Sequence, residues 1–280
     1  MEVKGASAPR AVVTSRGHAS YSFSHSPDTK QGVDRYQQIG VSPVRLLHIV
    51  ATPRGLASNT ARVSNVFLEA LLGKRDDVRV RTLDLFSADL PAVAGTNIES
   101  KYKLMTGQSL DEAASSSWRQ IESNIEKFLE ADVYLLTTPM WNFGIPYALK
   151  YYIDAIVQPG YLFKYDEKGT PEGLVKGKKM ICVTSRGGDY SSGPLQVYDF
   201  VENYLRTIFG FVGITDMHFF NVQPMDVSME MRSAAYKKAI SEVQEYVAKT
   251  DWEPVAGALI RKAPEGLKPA PLLTNGGPTA

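Results

Sequence analysis

The sequence predicts an α/β fold: a doubly wound sheet of five parallel strands in the order 2-1-3-4-5, with helices on both faces. Three observations predict it. Strand-like and helix-like runs alternate along residues 44–249, the pattern of strands joined by helical crossovers. The runs at 45–51, 131–139 and 180–184 are apolar almost throughout, as strands covered on both faces are. Each of the three leaves into a loop of hydroxyl, aromatic or glycine residues, and an open sheet of this kind binds ligands at the carboxyl ends of its strands.

Residues 1–43 hold seven serines and no sustained periodicity, and read as a flexible N-terminal extension. Arg10 and Arg16 in a Ser-rich, acid-poor start leave an organelle-targeting peptide as the alternative to a cytoplasmic location. The domain proper spans 44–250. Strand 45–51 is followed by a helix to about Leu72, with Val63, Val66, Phe67, Ala70 and Leu71 on one face and Gly73 as its stop. Residues 78–85 alternate Val78, Val80 and Leu83 with Arg79 and Arg81, as a strand near the sheet edge does. The stretch 86–110, with Pro91, Gly95 and Gly107, reads as a long loop or short helical pieces.

A helix over 115–130 places Trp118, Ile121, Ile125, Phe128 and Leu129 on one face. The central strand follows and ends at Pro139, which has no N–H for the ladder. Pro146 opens a helix over 147–157. Residues 158–177 read as a loop or hairpin leading to strand 180–184. One helix is expected over 195–213, a last strand over 216–222 and a last helix over 230–249. Residues 251–280, rich in proline and glycine, read as a tail.

The totals exclude several kinds of chemistry. A net charge of +1 predicts no strong attraction to nucleic acid or anionic membranes. Cys182, the one cysteine, excludes an intrachain disulfide and a thiolate metal cluster, and its apolar strand makes it a core residue. The four histidines lack metal-ligand spacing, and no apolar run approaches the roughly 20 residues that span a bilayer.

The chemistry is expected in the three loops. Ser58, Asn59 and Thr60 sit where a helix begins, with unpaired N–H groups and the positive end of the helix dipole; Thr52, Arg54 and Gly55 complete a polar nest suited to phosphate. A plain helix cap is the alternative. Neither a Walker A loop nor the glycine fingerprint of dinucleotide sites is present, so a mononucleotide phosphate fits better. Pro139, Met140, Trp141, Asn142 and Phe143 offer a flat surface with one polar group, either a wall for a heteroaromatic ring or an extension of the core. Ser185, Arg186, Gly187 and Gly188 allow close backbone approach to a ligand, or make an ordinary turn.

At these residues the chain resembles the FMN-dependent NAD(P)H azoreductases, a flavodoxin-like group close to the NAD(P)H:quinone oxidoreductases. Pro139-Met-Trp-Asn-Phe143 is similar to the family's Pro-Met-Tyr-Asn-Phe, and Thr184-Ser-Arg-Gly-Gly188 matches its Ser-Arg-Gly-Gly. Runs at 163–165, 171–179 and 210–216 are similar to further family segments in the same order. The resemblance implies bound FMN, NADH or NADPH as co-substrate, and a homodimer with the flavin at the subunit interface. It implies phosphate contacts from Thr52, Ser58, Asn59 and Thr60, and ring contacts from residues 139–143 and 185–188. Trp141 stands in place of the family's tyrosine, and Ala51-Thr52 where two serines are usual.

The expected activity is two-step transfer of hydride through flavin N5 from the nicotinamide nucleotide to a quinone or azo compound. A substrate pocket walled by Trp141, Phe143, Tyr161 and Phe163, partly from a partner subunit, suits flat aromatic acceptors; Tyr161 is a candidate proton donor. The alternatives are a non-enzymatic flavodoxin-like electron carrier and a biosynthetic reductase dedicated to one metabolite.

Overall fold

The computed structural model describes residues 43–105, 108 and 110–252, together with a short antiparallel pair, Val12–Val13 with Ala19–Ser20. The rest of the expected N-terminal extension, and the expected tail from residue 253 onward, lie outside the described residues.

The main sheet contains β1 (Val44–Val50), β2 (Val78–Asp84), β3 (Val133–Pro139), β4 (Lys179–Ser185) and β5 (Asp216–Val222), all parallel, in the order β2-β1-β3-β4-β5. The helices are α1 (Asn59–Lys74), α2 (Thr96–Met105), α3 (Glu112–Leu129), α4 (Tyr147–Ile156), α5 (Glu202–Phe211) and α6 (Met229–Lys249). This is the doubly wound arrangement expected from the alternation of elements.

The two-residue period of a strand explains how the central strands serve two cores. On β3, Tyr134 and Leu136 face a core built with Trp118, Ile121, Ile125 and Phe128 of α3, Leu149 and Ile153 of α4, and Leu205 and Phe209 of α5. Val133 and Leu135 face the opposite core, with Val63, Phe67 and Leu71 of α1 and Ala239, Val243 and Val247 of α6. Cys182 lies in the first core; burial pushes its thiol pKa well up, so it stays a neutral packing group. Trp252 is buried in the second core, its ring edge-on to Phe67 at 5.5 Å.

Two local expectations need correction, the stop at Gly73 and the single helix over 195–213. Gly73 does not end α1; the helix continues to Lys74, whose ammonium donates to the carbonyls of Val247, Ala248 and Thr250 at 2.8–3.0 Å. Strand β2 lies at the sheet edge as expected, which leaves Val80 exposed, and of the two readings of 86–110 the helical one holds, with the short helix α2. The single helix expected over 195–213 is broken: a 3-10 turn, Gly193–Tyr198, precedes α5, which starts only at Glu202. There Asp199 accepts hydrogen bonds from the N–H groups of Val201 and Glu202, capping α5 and closing off the preceding turn.

After α4, residues Phe163–Tyr165 and Pro171–Gly173 form a small antiparallel hairpin. A Cβ on Gly173 would overlap the backbone of Val212 and Gly213, so glycine is what lets the hairpin dock there.

Candidate functional site

The carboxyl ends of β3, β4 and β5 are level: Pro139 pairs with Ser185, and Ser185 with Val222. Ser185 ties the three expected loops together. Its carbonyl accepts from the N–H of Met140 at 2.8 Å, and its hydroxyl shares a 2.7 Å hydrogen bond with Thr60 of α1. The first, second and third strand exits therefore converge on one residue.

At the first exit, Thr52, Ser58 and Thr60 are buried and Asn59 is half-buried. A 3-10 turn, Gly55–Ala57, leads in, and Ser58 caps α1, its hydroxyl accepting weakly from the Ala61 N–H at 3.4 Å. The carbonyl of Asn59 is held by the hydroxyl of Tyr236 from α6 at 2.8 Å. The opening N–H groups of a 16-residue helix, flanked by buried hydroxyls, have donor chemistry suited to an anion. Arg54 is exposed beside it.

The second exit is a tight turn. Trp141 and Gly144 exchange both backbone hydrogen bonds at 2.9 Å, and the residues between them, Asn142 and Phe143, have φ of 47° and 68°. Two successive positive φ values mark a type I′ turn, in which asparagine is at home and a large aromatic residue is strained. The strain presents Phe143, 46% exposed, and Trp141, 37% exposed, on the surface. Trp141 is flanked by Phe86 at 5.8 Å and Tyr147 at 6.4 Å. Beside the turn, Gly144, Ile145, Lys150, Phe200 and Tyr204 border an open, mainly apolar cleft of about 440 Å³.

The third exit is pinned to the chain beyond β5. The carbonyl of Gly187 accepts from Met225 and Asp226, and a Cβ on Gly187 would meet the Asp226 carboxylate at 2.9 Å. That carboxylate is the end of an exposed side chain free to shift, so packing alone does not demand a glycine here. Arg186 turns inward: its guanidinium is buried against Asp199, Asn221 and Thr184, its N–H donates to Val222, and its carbonyl accepts from Met225. It does not present its charge at the surface, so of this loop Ser185, Gly187 and Gly188 are the residues left to face a ring.

A family model described as having a flavodoxin-like fold matches residues 44–247. An FMN-dependent NADH:quinone oxidoreductase of Nitratidesulfovibrio vulgaris is 38% identical over 200 residues, covering 69% of this chain and 95% of that protein. Another, from Pseudomonas fluorescens, is 34% identical over 212 residues, covering 73% and 98%. The chain belongs to this family of oxidoreductases. Among solved structures, an azoreductase from Bacillus anthracis superposes with a TM-score of 0.69 at 27% identity, over 74% of this chain and 100% of that one. An FMN-dependent NADH-azoreductase from the same species, solved in complex with FMN, gives 0.68 at 26% identity, over 74% and 98%.

The other two pocket residues lie elsewhere in the protomer. Helix α4 starts at the rim and runs away from it, and the connection that follows packs on α3 and α5. Tyr161 there donates to the Glu122 carboxylate at 2.5 Å and receives the Trp118 indole N–H at 3.3 Å. Burial and Glu122 push its pKa well up, so the phenol keeps its proton. Phe163 is buried against Phe211 at 4.7 Å. Within one protomer neither joins Trp141 and Phe143.

Sequence reasoning missed Phe86 and Tyr147, which flank Trp141, and Tyr190 and Tyr198, whose rings lie 6.5 Å and 5.5 Å from Phe143. It also missed Asp199. No capping-box signal marks it: α5 starts at Glu202 with Val201 as its N-cap, so Asp199 and Glu202 do not stand at the N-cap and third helical positions.

Proposed function

We propose that this protein binds FMN across the three converged strand exits and uses it to pass reducing equivalents from NADH or NADPH to quinones or azo compounds. The observation that carries the reading is the convergence on Ser185, which sets an anion-binding helix start next to a flat aromatic turn. The residues fit FMN by their donor chemistry. The opening N–H groups of α1 and the hydroxyls of Thr52, Ser58 and Thr60 suit a phosphate, with Asn59 completing the corner. Pro139, Met140, Trp141, Asn142 and Phe143 on one side, and Ser185, Gly187 and Gly188 on the other, suit an isoalloxazine edge.

When bound, FMN supplies two-electron chemistry at N5, so that nicotinamide nucleotide and acceptor use one site in turn. The protein binds and orients. The α1 start anchors the phosphate end, the type I′ turn presents aromatic surface, and the open apolar cleft beside Gly144 offers a face for flat substrates. The family resemblance implies a homodimer, in which a second copy would bring Tyr161 to this rim; Phe163 is buried against Phe211 of its own chain and stays out of the pocket. The net charge of +1 disfavours an electron carrier, for which an acidic docking face is expected.

The test is direct. Purified protein should show a flavin spectrum, or take up FMN, and should oxidise NADH or NADPH faster when menadione is added. A colourless protein that cannot be reconstituted overturns the reading. A yellow protein inert toward quinones and azo dyes shifts it to a carrier or a dedicated reductase.

A further inference from the structure

Segment 189–200 packs its rings against Phe143 and is anchored by the Tyr190 N–H on Gln223 at 3.1 Å and by one buried side chain, Asp199. Every residue from 191 to 200 is exposed except Asp199. On either side of that anchor, Tyr198 is 47% and Phe200 56% exposed, and the Phe200 N–H donates to the carbonyl of Phe143 at 3.1 Å. The anchor's partner is Arg186, only 1% exposed, which comes from the loop that would edge the ring.

The pair is wired into three elements. Asp199 takes the Arg186 guanidinium on Oδ2 at 2.7 Å and caps α5 with Oδ1. Arg186 also donates to Asn221 of β5 at 2.8 Å and to Thr184 of β4, while Asn221 donates to Glu202 of α5 at 2.7 Å. The Arg186 Nε is buried without a partner, so the cation depends on Asp199 for its charge neutralisation.

We propose that the Arg186–Asp199 ion pair is a latch that positions the aromatic segment 189–200 over the ring site and thereby sets how tightly flat substrates are held. Asp199 is a positioning residue. Its carboxylate bonds Arg186 of the ring loop and acts on the site through Tyr190, Tyr198 and Phe200. The inference rests on the proposed flavin-dependent function for its kinetic consequence, and on packing alone for its conformational one.

The test is Asp199→Asn, which keeps the helix cap and the shape but removes the charge. Because a buried cation left alone can prevent folding, Arg186→Met/Asp199→Asn is the companion variant, with both charges gone. Amide hydrogen exchange without added flavin should speed by about tenfold or more across 189–200 and stay unchanged in β3 and β4. KM for menadione should rise about fivefold, with kcat falling less. Equal acceleration throughout the domain, or an unchanged rate in 189–200, overturns the latch and leaves the pair a general stabiliser. A wild-type protein that fails to bind flavin overturns the functional reading instead, and the exchange result still decides the latch.

Discussion

At the scale of single residues, Phe143 shows how function is traded against backbone comfort. Its φ of 68° lies where glycine is favoured, and a strained non-glycine residue costs on the order of 1 kcal/mol. Phe143→Gly should therefore raise stability in urea unfolding by about 1 kcal/mol while weakening FMN or quinone binding. A variant that is less stable and binds unchanged would show that the ring is there for packing. Ser58 is the second residue to test. Ser58→Ala loses a helix cap worth about 1 kcal/mol, and on the phosphate reading it should also raise the Kd for FMN about tenfold. Loss of stability with an unchanged Kd would reduce Ser58 to a plain cap, the alternative its sequence position left open. Asn142 and Phe143 were legible as site candidates from composition, but their positive φ values were not, since Asn-Phe is no standard signature of a type I′ turn.

At the scale of elements, the strands and most helices follow from local pattern, because apolar periodicity is written directly in the chain. The exceptions have tertiary causes. Helix α1 runs past Gly73 because Lys74 reaches across to the end of α6. The helix expected over 195–213 breaks because Asp199 bonds both its own α5 and Arg186, a residue 13 positions away. The hairpin after α4 depends on backbone contact at Gly173. Gly173→Ala should lower stability by about 1–3 kcal/mol and lower Tm, through overpacking against Val212 and Gly213. An unchanged melting curve would mean the hairpin can lift from that surface at no cost.

At the scale of the whole molecule, the doubly wound sheet carries a buried polar seam that couples stability to pH. His48 lies in β1, its Nε2 at 2.8 Å from the Thr137 hydroxyl, which in turn meets Ser64 of α1 at 2.6 Å. Burial lowers its pKa to about 4, against about 6.5 for a free imidazole. Between those values the unfolded chain binds the proton and the folded one does not, so stability falls as pH drops from 6.5 to 4 and is unaffected above 6.5. The full loss is about 3 kcal/mol. Urea midpoints measured across that window should fall for the wild type and stay flatter for His48→Asn, which cannot titrate; parallel curves would assign acid sensitivity to carboxylates instead. Assembly belongs to the same scale. Light scattering should give a dimer mass, as the family resemblance implies; a monomer mass would overturn that expectation.

What the sequence determined by itself is the alternation of elements, the two-faced central strands and the identity of the three loops, all of which rest on periodicity and on residue types with strong local preferences. What only the tertiary structure decided is how those loops meet: that Ser185 bonds both Thr60 and Met140, that Arg186 turns away from the surface, and that Tyr161 and Phe163 pack on α3 and α5 apart from Trp141. These are relations between residues distant in the chain, fixed by packing and by pairing of buried charge, and a one-dimensional pattern carries no record of them.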